Sequence, residues 1–555
     1  MKTIISVMLE GVREKLTLVS YIVLTLVVGF LLLFANSQLE QVLNNYLFVS
    51  NFDGFALRLS VTVGLFVLVF GLNVFGAYIL TDFQYASLSR LLKHYLSLLL
   101  RAKNSYFTNR PAADLFIRLF ESSDGVSFFT SSVLRIVSNS IIFIFYGIII
   151  FRLDLFAGFF TILVTPLYFL ATKKAGDRLT DLLHDRLART GELSTVTQEA
   201  FENIGNIKAK GAYAFFTART ADVLHKIKRI MVRSETLTNY IFEITTLVRI
   251  IAPLLIIFAA MHFSPGFSGG AGIIMMLYIN IPLFLNTFSN IHRWYIEYKA
   301  MKPFFSQLRE FDDVELENET GVEITTFESL KAEAIKVTFD GGRVVSVPDF
   351  EIKKGEKVMF FGESGVGKST LFNIIMGLNT DYEGRVFING IDLREVSLAS
   401  LRKIFGITFQ HTNALTLDLR ENILLGAAIT DDKLERLIKL TALESQQDEK
   451  GNAILNNKVL SGGEKSRLGL SQTLVNDSEI MLIDEAFSNM DEALESKIIA
   501  DLFHEYPDCA VICISHRNAS RPFFDRVVEF TSNTHLLQPR ADTGKIISSK
   551  SFRTQ

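Results

Sequence analysis

Cysteine and tryptophan are nearly missing from these 555 residues, at two and one respectively. The two thiols, Cys509 and Cys513, stand in one β-branched run, so no disulfide framework organises the fold and the soluble part suits a reducing compartment. Their spacing permits a metal pair, but on a buried strand they read as packing. An excess of one charge is missing too. A net charge of −3 offers no basic surface for a phosphate backbone, so nucleic acid is not expected as a partner. Nor is a signal peptide expected. The start, MKTIISVMLEGVREK, is short and amphipathic, and the apolar stretch after it is too long for a signal-peptide core. It reads as an interfacial helix leading into a membrane span.

Apolar residues are what the chain has in abundance. At 49% hydrophobic with mean hydropathy +0.29, it is too apolar for an ordinary soluble enzyme, and its length allows two to four domains. Six stretches reach the roughly 20 residues needed to cross a bilayer: Leu16 to Ala35, Leu59 to Leu80, Val133 to Phe151, Leu155 to Thr172, Tyr240 to His262 and Gly272 to Phe288. Only Arg152 to Asp154 separate the third from the fourth, which predicts a tight hairpin. Lys2, Arg13 and Lys15 precede the first span. Lys and Arg crowd the connections between spans two and three and between four and five, whereas Asn36 to Leu57 and Phe263 to Gly270 carry none. Positive charge stays inside, so both ends are expected in the cytoplasm of a multi-pass cell-membrane protein, of the bacterial inner or plasma-membrane kind.

Both basic connections show helical periodicity, as in SLSRLLKHYLSLLL, and read as membrane helices continuing into the cytosol. Each is broken midway, at Arg110 to Phe116 and at Asn203 to Phe216. From Phe304 the chain turns polar, and EFDDVELENE (Glu310 to Glu319) reads as a solvated acidic tether. The expected organisation is a six-helix, all-α membrane domain over 1–308, an acidic linker over 309–330, an α/β domain over 331–530 and a polar tail over 531–555.

The α/β part carries the chemistry. In GESGVGKST, spanning Gly362, Glu363, Ser364, Gly365, Val366, Gly367, Lys368, Ser369 and Thr370, the glycines let backbone N–H groups approach phosphates. The strand-like VMFF before it and the helix-like LFNIIMGL after it place bound phosphates at a helix N-terminus. Lys368 is expected on the β and γ phosphates, Ser369 on Mg2+ and Thr370 on the α or β phosphate. A second apolar run, IMLI, delivers Asp484 and Glu485 to the end of a parallel sheet, with Asp484 the natural Mg2+ partner. In LSGGE, Ser461 and the amides of Gly462 and Gly463 at a helix start make an anion site with no lysine of its own.

The order and spacing of GESGVGKST, Gln410, LSGGE, IMLIDE, SNMD (Ser488 to Asp491) and His516 resemble the ATP-binding cassette (ABC) family, and six upstream spans resemble its exporters. The resemblance implies ATP and Mg2+ as cofactors and Glu485 as the general base that polarises the attacking water. It implies that His516 bonds the γ-phosphate and helps hold Glu485, and that Gln410 contacts Mg2+ or water and reports occupancy. LSGGE in that family closes over ATP on the opposite cassette. One cassette per chain therefore implies a second copy of this chain in a head-to-tail homodimer. Coupling helices are implied at the two breaks.

Three features depart from the family pattern. Glycine (Gly341) stands where an adenine-stacking aromatic belongs, with Phe339 as the substitute on the same strand face; GNAILNNKV before LSGGE lacks a glycine-rich loop; and Glu464 is followed by Lys465, Ser466 and Arg467. Within the spans, Asn73, Asn139, Glu243, Arg249, Asn280 and Asn286 are the polar positions that mark a function or a helix contact. Glu243 and Arg249 lie about 120° apart around a helix and do not pair. The chain reads as an ATP-driven half-transporter in contact with membrane lipid, exporting a lipid, peptide or drug-like substrate of unknown identity. An exporter-fold importer of a metal chelate or siderophore, and an ATP-gated channel or regulator, are the alternatives. The six spans exclude a soluble ABC ATPase, and no peptidase module is expected before the first span.

Overall fold

The computed structural model describes residues 2–8, 12–47, 54–108, 110, 112–264, 270–317, 319–339, 343–363, 365–410, 412–448 and 460–530. Ser364, Gly341, the GNAILNNKV segment and the tail over 531–555 lie outside them. The chain divides into two compact units, one formed by Met1–Ala102 with Asn109–Glu315, the other by Lys103–Thr108 with Leu316–Gln555.

The first unit is helical. Its elements are α1 (Lys2–Met8), α2 (Val12–Val42, closing in a π-helical turn at Leu43–Leu47), α3 (Phe55–Leu99), α5 (Ala112–Leu153), α6 (Leu155–Glu202), α7 (Ile204–Lys210), α8 (Tyr213–Phe263), α9 (Ala271–Ala300) and α10 (Lys302–Asp312), while α4 (Ser105–Thr108) belongs to the second unit. Each apolar stretch expected to cross the membrane lies inside one of α2, α3, α5, α6, α8 and α9, and among the described residues these make six helices long and apolar enough to span a bilayer. A bilayer interior is about 30 Å thick. Helix α8, with 51 residues, is therefore more than twice as long as a crossing requires. The short link between α5 and α6 works because Asp154 caps α6, accepting from the Ala157 amide at 2.7 Å and from the Ser264 hydroxyl at 2.8 Å. Helices α5 and α9 share the core of this unit, where Phe143 stacks on Phe284 at 4.1 Å beside buried Ile149, Leu277 and Ile281.

The two expected breaks differ. At the second, Gly211 in the left-handed region ends the seven-residue α7. At the first, Ala112 already opens α5, so the break falls earlier, around α4.

In the second unit, β1 (Ser329–Thr338) sits between β2 (Val344–Ser346) and β5 (Glu383–Ile388), with β3 (Phe350–Lys353) on β1 and β6 (Ile391–Asp392) on β5, all antiparallel. A parallel sheet runs in the order β10 (Arg526–Phe530), β4 (Lys357–Gly362), β9 (Ala510–Ile514), β8 (Ile480–Asp484), β7 (Phe405–Thr408). Helices α11 (Lys368–Ile375), α12 (Leu398–Ile404), α13 (Leu419–Leu424), α14 (Asp431–Leu440), α15 (Glu444–Asp448), α16 (Gly462–Leu474) and α17 (Glu492–Glu505) complete it. The central strands are apolar on both sides because both faces are covered. Phe360, Leu482 and Ile512 join one core with Phe327, Leu330 and Phe372, while Met359, Met481 and Val511 join another with Leu468 and Ile499.

Part of the stretch expected as a solvated tether, Glu310 to Glu319, is built into folded structure, and the rest of the 309–330 linker packs onto the second unit. Residues 310–312 finish α10, Glu317 makes a two-pronged ion pair with Arg402 at 2.5 and 2.8 Å, Val322 bridges Val396, and Ile324 and Phe327 are buried in the second unit's core. The charges set the composition of this stretch, but its few apolar residues decide where it goes. Replacing fully buried Phe327 by alanine should therefore cost about 3–5 kcal/mol. The drop would appear in the thermal unfolding midpoint of the purified protein, and an unchanged midpoint would show that Phe327 does not hold the linker to the second unit.

Candidate functional site

Strand register assembles the site. Phe360 of β4 and Asp484 of β8 both pair with Ile514 of β9, and Thr408 of β7 pairs with Ile483. Four parallel strands thus end together, and the segments leaving them carry Gly362 to Thr370, Gln410, Glu485 and His516. This is the C-terminal edge at which open parallel sheets bind ligands.

The phosphate loop is held open by conformation and by close approach. Gly367 takes φ +105°, and a Cβ there would lie 2.4 Å from Val345 Cγ1; one on Gly362 would lie 2.4 Å from the Phe530 carbonyl oxygen. No other residue type fits either position without moving its neighbours. Lys368 starts α11, is only 5% exposed, and donates from Nζ to the Gly362 and Glu363 carbonyls, both at 2.7 Å. Burial pulls its pKa down, against the opposing pull of the Glu485 and Asp484 carboxylates. A cation held this way is ready to exchange two carbonyls for phosphate oxygens. Val366 points its side chain into the core.

A cavity of about 470 Å³ opens over this loop, lined by Phe339, Arg343, Val345, Gly365, Gly367, Lys368, Ser369, Thr370, Gln410 and Glu485. Phe339 contributes the one aromatic side chain among these lining residues. Glu485 adopts φ +48°, a left-handed backbone unusual for a residue with a side chain, while its amide donates to the Ile514 carbonyl at 3.1 Å. Its two carboxylate oxygens are both engaged. One lies 2.7 Å from His516 Nε2, and the other accepts from Gln410 Nε2 at 2.7 Å. Three residues far apart in sequence thereby meet at one carboxylate. Asp484 is buried at the end of β8. The hydroxyl of Ser369, the amide oxygen of Gln410 and the Asp484 carboxylate are hard oxygen donors with a single carboxylate among them. That set suits Mg2+, which keeps waters and phosphate oxygens as its other ligands.

Ser461, Gly462 and Gly463 do not line this cavity. Ser461 caps α16 in a reciprocal box: the Glu464 amide donates to Ser461 Oγ at 3.3 Å, and the Ser461 amide donates to Glu464 Oε2 at 2.7 Å. Partial burial opposes the Glu464 charge, yet the Ser461 donors, Arg467 and Gln446 hold its pKa below the usual range. The cap leaves the first turn of α16 with amides for an anion supplied from elsewhere.

Sequence reasoning missed several members. Arg343 donates to the Gly365 carbonyl at 2.7 Å, bracing the phosphate loop from β2's side, and Val345 sets the Gly367 constraint. Arg517, next to His516, donates to the Ser488 and Met490 carbonyls at 2.6 and 2.8 Å and pairs with buried Glu495 at 2.6 Å, pinning the SNMD loop. Only the lone basic residues in VTFDGGRVV and ISHRN hinted at these two roles. Cys509 and Cys513 are free and buried, burial pushing Cys509 up to about 11 and Cys513 upward as well, so neither is a reactive thiol. In the spans, Asn73, Asn139 and Asn280 each donate to a carbonyl one turn back in their own helix.

A family model described as ABC transporter matches residues 345–488, and one described as ABC transporter transmembrane region matches 18–288. The chain is similar to an ATP-dependent lipid A-core flippase of Francisella novicida, 23% identical over 76% of this chain and 74% of the relative. It is also similar to a mitochondrial iron-sulfur clusters transporter, ATM1, of Yarrowia lipolytica, 34% identical over 32% of this chain, a match that spans only 26% of that relative. A solved bacterial Atm1-family ABC exporter with ATP bound shares the fold, with a TM-score of 0.79 at 19% identity over 94% of this chain and 93% of the other.

Gly367→Ala forces both a strained φ and a collision with Val345. At about 1–3 kcal/mol for such strain, affinity for a fluorescent ATP analogue should fall about tenfold or more. Unaltered affinity in an equilibrium titration would show that the loop accommodates a side chain.

Proposed function

The chain belongs to the ABC transporter family, as an exporter-type half-transporter driven by ATP, and from that premise we propose how its own residues couple ATP hydrolysis to transport. The observation that carries the reading is the Glu485 carboxylate held at the cavity between Gln410 and His516. Backbone amides of Gly362, Glu363, Ser364, Gly365, Val366 and Gly367 receive the phosphates, Lys368 moves its ammonium from the loop carbonyls to the β and γ phosphates, Thr370 bonds the α or β phosphate, and Phe339 stacks on adenine. Ser369, Gln410 and Asp484 would hold Mg2+, which would supply positive charge against the phosphate oxygens. Water attacks the γ-phosphorus as its proton passes to Glu485, with ADP as leaving group. His516 Nε2 fixes one carboxylate oxygen until ATP binds, when it turns its N–H to the γ-phosphate. Gln410 Nε2 fixes the other oxygen and senses whether phosphate is present.

Ser461, Gly462 and Gly463 serve the ATP of a second copy of this chain, because their cap leaves amides for an anion that they cannot hold alone. Two copies therefore pair head to tail, and Arg517 ties the His516 segment to the SNMD loop. Residues 1–308 form the transport domain, 331–530 the motor, and the segments around α4 and α7 pass the motion on. Both termini and the motor lie on the cytoplasmic face of the cell membrane, as the basic connections require. The substrate is amphipathic, of the lipid-like class named for the flippase relative.

Glu485→Gln should keep ATP affinity and lower turnover by about 10²–10⁴-fold; an unchanged hydrolysis rate in purified protein would remove Glu485 from the mechanism. The shared site has its own test. Ser461→Arg and Lys368→Ala chains should each be inactive alone, yet co-expression should restore hydrolysis, since one site of the mixed dimer has both an intact phosphate loop and an intact LSGGE. No gain on mixing would mean that each chain completes its own site.

A further inference from the structure

One cation in the membrane unit has only neutral partners. Arg249 is half-buried in α8, about 21 Å along the axis from the helix end at Phe263, and so within the roughly 30 Å hydrocarbon layer. Its Nη1 donates to Asn286 Oδ1 of α9 at 2.9 Å and its Nη2 to Thr246 Oγ1 at 3.2 Å. These acceptors fix the plane of the guanidinium without cancelling its charge. Among the described residues no carboxylate pairs with it, and Glu243 points about 120° away around the same helix. A guanidinium has five N–H donors, most of which remain for another acceptor.

The surroundings are polar along one seam. Toward the far end of α9 from its Ala271 start, Tyr168 of α6 joins Thr245 of α8 and Ser289 of α9 at 2.8 and 2.9 Å, and Thr172 meets His292 Nδ1 at 3.2 Å. Asn286, Ser289 and His292, three apart in sequence, step about 60° at a time around α9, so the polar strip turns from the Arg249 contact toward the Thr172 contact. The side-chain amides of Asn73, Asn139 and Asn280 donate back to their own helices, whereas this seam links polar groups of three helices beside an uncompensated charge. In a low dielectric such a charge favours an anion strongly, and a planar fork suits a phosphate or carboxylate.

We propose that Arg249, clamped by Asn286 and Thr246, is the recognition point for an anionic group, phosphate or carboxylate, on the transported molecule. The inference rests on the exporter reading and adds the charge class of the cargo.

The full-length protein in phosphatidylcholine nanodiscs carries its own reporter, since Trp294 is the sole tryptophan and lies about 12 Å beyond Asn286 on α9. Dodecyl phosphate, dodecanoate and dodecyltrimethylammonium share a chain and differ in charge. Titrating each against Trp294 emission should show at least one anion binding about tenfold or more tighter than the cation. Arg249→Gln should abolish that preference, and Arg249→Lys, which keeps charge but loses the fork, should retain part of it and serves if the glutamine variant does not fold. Equal affinities in the unmodified protein, or a preference that survives in Arg249→Gln, would overturn the proposal. So would a preference lost instead in Arg293→Gln, whose guanidinium lies 5.1 Å from the Trp294 ring and would then be the anion site. The exporter reading fails separately, by absence of ATP hydrolysis in the unmodified protein, and the fluorescence comparison stays readable in that case.

Discussion

Everything chemical in this protein depends on β4, β7, β8 and β9 ending side by side. A parallel sheet covered on both faces has little freedom to slip, because a one-residue shift would exchange Met359 with Phe360, or Met481 with Leu482, between two differently shaped cores. That constraint brings the ends of the phosphate loop, the Asp484–Glu485 step and the His516 segment to one edge. Burial energy far from the phosphates thus sets the positions of groups that must act within hydrogen-bond distance of them.

Left-handed backbone recurs among the groups at this edge. Gly367 and Glu485 both hold positive φ, yet they solve different problems: the glycine gives up its side chain so that Val345 and the ligand can approach, and the glutamate keeps its side chain and accepts an uncommon backbone to aim it. Two hydrogen bonds, from His516 and Gln410, hold that carboxylate in one rotamer. Arg517 extends the same network to the SNMD loop, so a change at His516 is felt by backbone carbonyls on the other side of Glu485.

The membrane unit follows a different rule. Most of its polar side chains back-bond to their own helices, which satisfies them without specifying a neighbour. Asp154, the Tyr168, Thr245 and Ser289 cluster, Thr172 with His292 and Ser131 with Gln84 are among the exceptions that tie helices together. Arg249 belongs with the exceptions in geometry, but its partners leave its charge standing.

Much was legible in the chain itself. Six apolar runs determined six helices because hydrocarbon admits no unsatisfied backbone, and the phosphate motifs identified themselves because phosphate needs glycine, lysine and a hydroxyl at fixed spacing. Resemblance to the family, not local chemistry, pointed to Phe339, Glu485 and His516. Tertiary structure alone decided that Glu317 pairs with Arg402 instead of standing in a solvated tether, that Ile324 and Phe327 dock onto a folded unit, that Arg343 and Arg517 brace loops, and that Arg249 meets Asn286 while Glu243 does not. Each of these depends on which distant segment lies alongside, and pairing across hundreds of residues is set by packing and register, which no local pattern of charge or hydropathy encodes.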